Sequence, residues 1–210
     1  MKTKLAMICL ITVILICNDA FAQKYHLEGK SVVGFNLGLF AGTKASNITP
    51  ISGLNTEVLA NGFAGNIFYS YWVRENLSLK FTAGILTGSA NVAVSAFSTS
   101  QQASIVSPVL LGMNYYINEL GFPDAVRPYI GGSVGMYIGR EAANTMLAQK
   151  VHTESAFGGR AGLGIDVLLS SYFILGANAG YNLMANFSVP VGGNKNFNGA
   201  DFSFQLGYIF

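Results

Sequence analysis

Apolar residues recur at every second position along much of this chain, and that alternation, more than any long apolar run, predicts its structure. In residues 62–73 the odd positions are Phe63, Gly65, Ile67, Tyr69, Tyr71 and Val73, while the even ones include Asn66 and Ser70. Over 77–86 the odd set Leu77, Leu79, Phe81, Ala83 and Ile85 opposes Ser78, Lys80, Thr82 and Gly84. Residues 157–167 set Phe157, Ala161, Leu163, Ile165 and Val167 against Gly158, Arg160, Gly162, Gly164 and Asp166. At the C-terminal end the apolar parity is even, with Phe202, Phe204, Leu206, Tyr208 and Phe210 opposite Asp201, Ser203, Gln205 and Gly207. Weaker alternation marks 32–42, where Val33, Phe35, Leu37 and Leu39 form the apolar face, and 105–117, 129–139 and 173–183, the last placing Asn178 and Asn182 on the inner parity.

Each of these eight segments approaches the roughly 9 to 11 residues that a tilted transmembrane strand needs. The pattern therefore predicts an all-β fold, an eight-stranded antiparallel up-and-down transmembrane β-barrel, with the even strand number that single-chain bacterial barrels use. The competing architecture is a helix across 167–187, 21 residues without a formal charge and with Asn178, Asn182 and Asn186 along one face. One helix would leave the remaining apolar surface in water, and 81–118 is broken by Gly88-Ser89, Pro108 and Asn114 before it reaches about 20 continuous apolar residues.

The connections alternate in length. Residues 43–61, 88–104, 140–155 and 184–199 read as long loops, whereas 74–76 and 169–171 are tight and 118–126 is intermediate. Long extracellular loops and short periplasmic turns have this rhythm. Tyr71, Tyr115, Tyr129, Phe173, Tyr208 and Phe210 are then expected in an aromatic girdle at the turn end, and Phe40, Phe157, Tyr181 and Phe202 in a second at the loop end.

Composition sharpens this picture. Of 210 residues, 51% are hydrophobic and only 10% charged, against about 25% charged in an ordinary soluble domain. Twelve basic and ten acidic residues offer no basic excess for nucleic acid and no acidic block for a disordered tail. Part of the hydrophobicity belongs to the N-terminus, where Lys2 and Lys4 precede the apolar run 5–17 and Ala20-Phe21-Ala22 forms a small-x-small cleavage site. Residues 1–22 read as a cleaved secretory signal peptide with Ala20 and Ala22 at the cleavage site, residues 23–30 as a periplasmic N-terminal segment, and 31–210 as the barrel. Ile16 before Cys17 is too bulky for a lipidation site. Both cysteines, Cys9 and Cys17, leave with the leader, which removes disulfides, zinc–thiolate sites and cysteine nucleophiles from the mature chain.

The scarce in-strand charges Lys80, Arg160, Asp166 and Asp201 all fall on the parity opposite the apolar set. A lipid-facing Lys or Arg at mid-membrane costs about 2 to 4 kcal/mol, so these four are expected in the lumen, as a mutually neutralising salt-bridge network or as the gate of a narrow conduit. Crowded glycine and serine on the same face suit a narrow interior.

Catalytic signals are weak. His26 and His152 are the two histidines. His152-Thr153-Glu154-Ser155 supplies a base, a carboxylate and a hydroxyl, but residues three apart on a strand point to opposite faces. Metal-ligand clusters and a phosphate loop are absent from the sequence, the glycine-rich 158–164 lacking a following Lys-Ser/Thr. No catalytic residue, cofactor or metal is expected, and the Asn47, Asn76 and Asn186 sequons are chance matches.

Arg127-Pro128-Tyr129-Ile130-Gly131-Gly132, the glycine-rich run from Gly159 to Asp166, and the closing Phe204-Gln205-Leu206-Gly207-Tyr208-Ile209-Phe210 together resemble the small eight-stranded outer-membrane barrels of the OmpW, OmpX and OmpA-barrel type, most nearly the OmpW-like ones. The resemblance implies a bacterial outer-membrane location amid lipid and lipopolysaccharide. It also implies that the barrel-assembly machinery reads the closing strand, with Phe204, Leu206, Tyr208 and Phe210 as its outward signal. Such barrels include passive conduits for small apolar molecules, adhesins, envelope stabilisers and a few enzymes that modify lipid A. The expectation is a non-enzymatic barrel, a narrow apolar conduit first, with a loop-borne adhesin or envelope stabiliser as the alternative and an unidentified surface ligand.

Overall fold

The computed structural model describes residues 26–42, 61–86, 90–95, 98–117, 121–145 and 148–210. The expected signal peptide with Ala20 and Ala22, and most of the first expected loop, lie outside them. The described residues form nine strands: β1 (Ser31–Gly42), β2 (Asn61–Arg74), β3 (Leu77–Leu86), β4 (Ala90–Ser95), β5 (Ser98–Tyr116), β6 (Val126–Thr145), β7 (Ala148–Leu168), β8 (Phe173–Met184) and β9 (Gly199–Ile209). All pairings are antiparallel, in the order β3-β2-β1-β9-β8-β7-β6-β5-β4, and a further β3–β5 pairing closes eight of the strands into a ring. β4 stands outside the ring as a partner of the start of β5. Closure leaves no strand edge inside the bilayer, the only condition under which strands can cross one.

Side-chain parity follows the predicted assignment in the ring strands other than β6, whose even residues face outward. Val33, Phe35, Ile67, Leu111, Leu163 and Phe204 are among the large apolar residues exposed on the outside, whereas Asn36, Ser70, Asn114, Asp166, Asn178 and Gln205 are buried inside. β9 has the cleanest alternation, and Phe204, Leu206, Tyr208 and Phe210 all face outward from it. Main-chain bonds in both directions between Ser31 and Phe210 close the ring at the chain ends. No helix among the described residues is long and apolar enough to cross a membrane, and 173–184, within the helical alternative, is strand β8.

Two expectations about the edges are corrected. Residues 88–104 and 140–155 are not loops throughout. β4 and β5 form a hairpin paired from Ser95↔Ser98 to Ala90↔Ala103, and β6 and β7 pair without a register shift from Val126↔Val167 to Thr145↔Ala148. Polar composition reports which solvent a segment faces; it does not end a ladder whose two strands still satisfy each other's backbone groups. β6 alone has 20 residues, about 65 Å at ~3.3 Å each, so a sheet of β4, β5, β6 and β7 projects well past the ring.

The girdles also change. Tyr71, Tyr115, Phe173, Tyr208 and Phe210 face outward at the turn end and Phe157, Tyr181 and Phe202 at the loop end, but Tyr129 and Phe40 are buried inside the barrel. β6 shows its even residues, Ile130, Val134 and Met136, to the outside. Tyr129 turns inward over its pairing partner Gly164, where a Cβ would stand 2.5 Å from the tyrosine ring and hydroxyl. Phe40 lies on the even, inward parity of β1.

Candidate functional site

The lumen is layered. At the turn end the inward residues Val32, Phe68, Trp72, Tyr116, Tyr129, Leu168, Ile174 and Ile209 form an apolar floor with Ala125 and Leu27. Trp72 stacks on Tyr116 with ring centres 4.1 Å apart, and Tyr129 closes on Tyr116 at 5.2 Å. Every strand of the ring except β3 supplies at least one of these residues, so the floor cannot move without the wall.

The N-terminal segment is latched beneath that floor. Glu75, in the β2–β3 turn, accepts the backbone N–H of Leu27 at 3.1 Å and of Glu28 at 3.2 Å. His26 Nδ1 lies 2.5 Å from the same carboxylate, and Arg127 Nη1 reaches it at 3.5 Å while donating to the Glu75 carbonyl at 3.2 Å. Partial burial pushes the Glu75 carboxyl up, but the two backbone donors, Arg127 and His26 together outweigh it and hold the group below its ordinary 4.5.

Above the floor lies a polar middle. Arg160 grips Asp201 with Nε at 2.8 Å and Nη2 at 2.5 Å, and Nη2 also donates to Asn178 Oδ1 at 2.7 Å. Asn182 Nδ2 donates to Asp201 Oδ2 at 2.6 Å, and Ser203 donates to Asn178 Oδ1 at 3.1 Å. Glycine on the facing strand makes room for the guanidinium: a Cβ on Gly180 would lie 2.5 Å from Arg160 Cζ. One layer lower, Asp166 accepts from the Tyr116 hydroxyl at 3.0 Å and from Gln205 Nε2 at 2.5 Å, and Lys80 donates to Gln205 Oε1 at 3.3 Å with its ammonium 4.2 Å from the Phe68 ring centre. All four sequence-predicted charges thus face the lumen, but they form one contact ion pair, Arg160–Asp201, and a relay in which Gln205 stands between Lys80 and Asp166. A network of four mutual salt bridges is not what the fold builds, because Lys80 on β3 and Asp166 on β7 come from walls three strands apart.

Between these layers is a cavity of about 70 Å³, room for about five waters. A second void of about 10 Å³ lies lower, beside Asp166 and Tyr116.

At the loop end a second apolar layer, Phe40, Leu86, Val106, Leu110, Tyr137 and Met184, is completed by Phe187, Val191 and Phe197 from the β8–β9 connection. That connection folds back over the mouth as a roof. A turn through Gly192 and Gly193, both at positive φ, lets Val191 and Asn194 exchange backbone bonds, and Gly192 N donates to Glu141 Oε2 on β6 at 2.8 Å. His152 Nε2 lies 2.9 Å from Glu154 Oε1 on the same face of β7, while Ser155 falls on the other parity and is exposed. No group of three or more His, Cys, Asp or Glu side chains that could hold a metal occurs among the described residues.

Sequence reasoning had the inward parity but passed over the residues that seal it. Trp72 and Tyr116 are on inner positions of their strands, and large aromatics there signal a plugged lumen. Phe187, Val191 and Phe197 within the 184–199 connection are the corresponding signal for the roof.

The family profile described as outer membrane protein beta-barrel domain matches residues 9–210. No curated protein sequence matches the chain significantly. Among solved structures, Ail, the attachment invasion locus protein of Yersinia pestis, superposes with a TM-score of 0.51 at 14% identity, covering 87% of this chain and 99% of that one. The same protein in complex with the heparin analogue sucrose octasulfate gives 0.51 at 15% identity and the same coverage. The outer membrane protein OprG from Pseudomonas aeruginosa gives 0.48 at 13% identity, covering 89% and 98%. These likenesses are of fold.

Proposed function

Because the chain belongs to the outer membrane protein β-barrel domain family and is an outer-membrane barrel, we propose that it acts at the cell surface as a recognition barrel, through its loop end and without catalysing a reaction. The observation that carries this reading is the projecting sheet. β7 pairs with β8 only from Gly158 onward, so over residues 148–156 its second edge has no ladder partner among the described residues. An unpaired edge of that length is a template on which an extended segment of another chain adds a strand. Sharing a fold with a protein whose name records attachment and invasion makes attachment the first activity to test.

The sealed lumen weighs against a passive conduit. One observation favours the conduit as second reading: the roof is a loop and its lining is apolar, so its displacement would admit a small apolar molecule as far as the polar middle. The non-enzymatic reading is supported by the separation of His152 and Ser155 onto opposite faces of β7. In this reading residues 1–22 are the export leader cleaved after Ala22. The outward band contacts lipid and lipopolysaccharide, and Phe204, Leu206, Tyr208 and Phe210 are read by the barrel-assembly machinery.

The test compares bacteria displaying the full chain with bacteria displaying a variant whose residues 142–151 are replaced by a two-residue turn, on immobilised matrix proteins and sulfated glycans, alongside planar-bilayer recordings. Binding that disappears with the hairpin, and silent bilayers, are expected. Discrete unitary currents with binding indifferent to the hairpin would overturn the proposal in favour of the conduit.

A further inference from the structure

We propose that the polar chamber at the centre of the lumen is an anion site, holding one small monovalent anion of the chloride class between the Lys80 ammonium on one wall and the Asn178 amide nitrogen on the wall opposite. The chamber lies below the roof, apart from whatever the loop end binds. β3 and β8 stand four strands apart in a ring of eight, so Lys80 and Asn178 face one another, and both line the 70 Å³ chamber. That volume suits a small ion with a few waters and excludes a sugar or a peptide.

The walls carry more donors than acceptors. Lys80 has three N–H groups and one hydrogen bond, the 3.3 Å contact to Gln205, and no carboxylate among the described residues lies within 4.0 Å of its ammonium. Asn178 is 5% exposed. Its Oδ1 accepts from both Arg160 and Ser203, which fixes the amide so that Nδ2 is the group left over, and that nitrogen is buried with no partner. Asp201 has little acceptor capacity to spare, since Oδ1 takes Arg160 and Oδ2 takes both Arg160 and Asn182. The one orphaned acceptor among the lining amides, Asn36 Oδ1, suits a water of the ion's shell.

Charge points the same way. Of the residues lining the chamber, Lys80 and Arg160 are cationic and Asp201 is anionic, an excess of one positive charge. The second lumenal carboxylate, Asp166, lines the lower void, which Lys80 also lines, and is engaged by Tyr116 and Gln205, so it offsets that excess from one layer below. One anion between the two walls would take the spare N–H groups of Lys80 and of Asn178 at once, on the cationic side of the chamber. The floor and the roof would hold it there, so it enters as the barrel folds.

The experiment refolds the full mature chain into micelles in sodium bromide and in sodium gluconate at equal ionic strength, and locates bromide by anomalous scattering in crystals of the bromide-refolded protein. A single lumenal peak between Lys80 and Asn178, lost in Lys80→Gln, is expected. An empty lumen, or a peak unchanged in Lys80→Gln, overturns the proposal. As a solution measurement, the urea midpoint of the wild type should rise with bromide or chloride relative to gluconate, while Asn178→Asp, which puts a fixed negative charge at the site, should be insensitive to the anion; equal halide sensitivity in both proteins counts against the site.

Discussion

Removing the acidic half of the lumenal ion pair tests how the middle of the barrel is held. Asp201→Leu deletes three hydrogen bonds, two from Arg160 at 2.8 and 2.5 Å and one from Asn182 at 2.6 Å, and leaves a guanidinium enclosed by the wall. Breaking one partner of a buried pair costs about 3 to 5 kcal/mol, most of it the uncompensated charge and not the lost attraction. Arg160→Met relieves that charge, and Asp201→Leu with Arg160→Met replaces the pair by apolar side chains of similar size, a change that is often close to neutral. The double variant is therefore expected within about 1 to 2 kcal/mol of wild type, far short of the sum of the two single variants. Urea unfolding from phospholipid vesicles gives the four stabilities. The single tryptophan, Trp72, is buried in the floor against Tyr116 and reports the collapse of the barrel. A double variant as unstable as the sum of the two singles would refute the reasoning, because the damage would then come from lost packing and not from an orphaned charge.

Other expectations follow from the seals and the outer face. Leu163, exposed on the lipid side of β7, should lose about 2 to 4 kcal/mol on Leu163→Arg in the same vesicle assay, whereas Thr153→Arg, outward on the projecting part of β7, should change stability by less than about 0.5 kcal/mol. A Cβ on Gly139 would meet Val191 Cγ2 at 2.8 Å and Phe187 Cζ at 3.0 Å, so Gly139→Leu should evict the roof: limited proteolysis should cut 185–198 faster while heat-modifiable gel mobility shows the barrel intact. Glu75, held below its ordinary 4.5 in the folded protein, contributes stability that is present above the unfolded value and is lost as pH falls through the depressed folded value. Urea midpoints measured downward from pH 6 should therefore fall more steeply below about pH 4.5 in wild type than in Glu75→Gln, and parallel profiles would show that the latch of the N-terminal segment is not ionic.

The sequence by itself determined which face meets lipid in the ring strands other than β6. Lipid and lumen alternate with the two-residue period of a strand, so Lys80, Arg160, Asp166 and Asp201 declared their side of the wall without reference to any other strand. The same period placed Asn178 and Asn182 inside and the closing aromatics of β9 outside. Tertiary structure decided what meets across the lumen. Arg160 finds Asp201 41 residues away, and Gln205 intervenes between Lys80 and Asp166, because barrel closure sets which inward residues share a level, and no local pattern encodes that. Closure also turned Tyr129 over Gly164 and brought Trp72 against Tyr116, converting an alternation compatible with a pore into a floor. The roof and the projecting hairpins lay equally beyond local reading. Phe187, Val191 and Phe197 are buried only because the mouth of the ring offers them an apolar surface, and β6 and β7 continue past the ring because each strand completes the other's backbone bonds wherever the solvent changes.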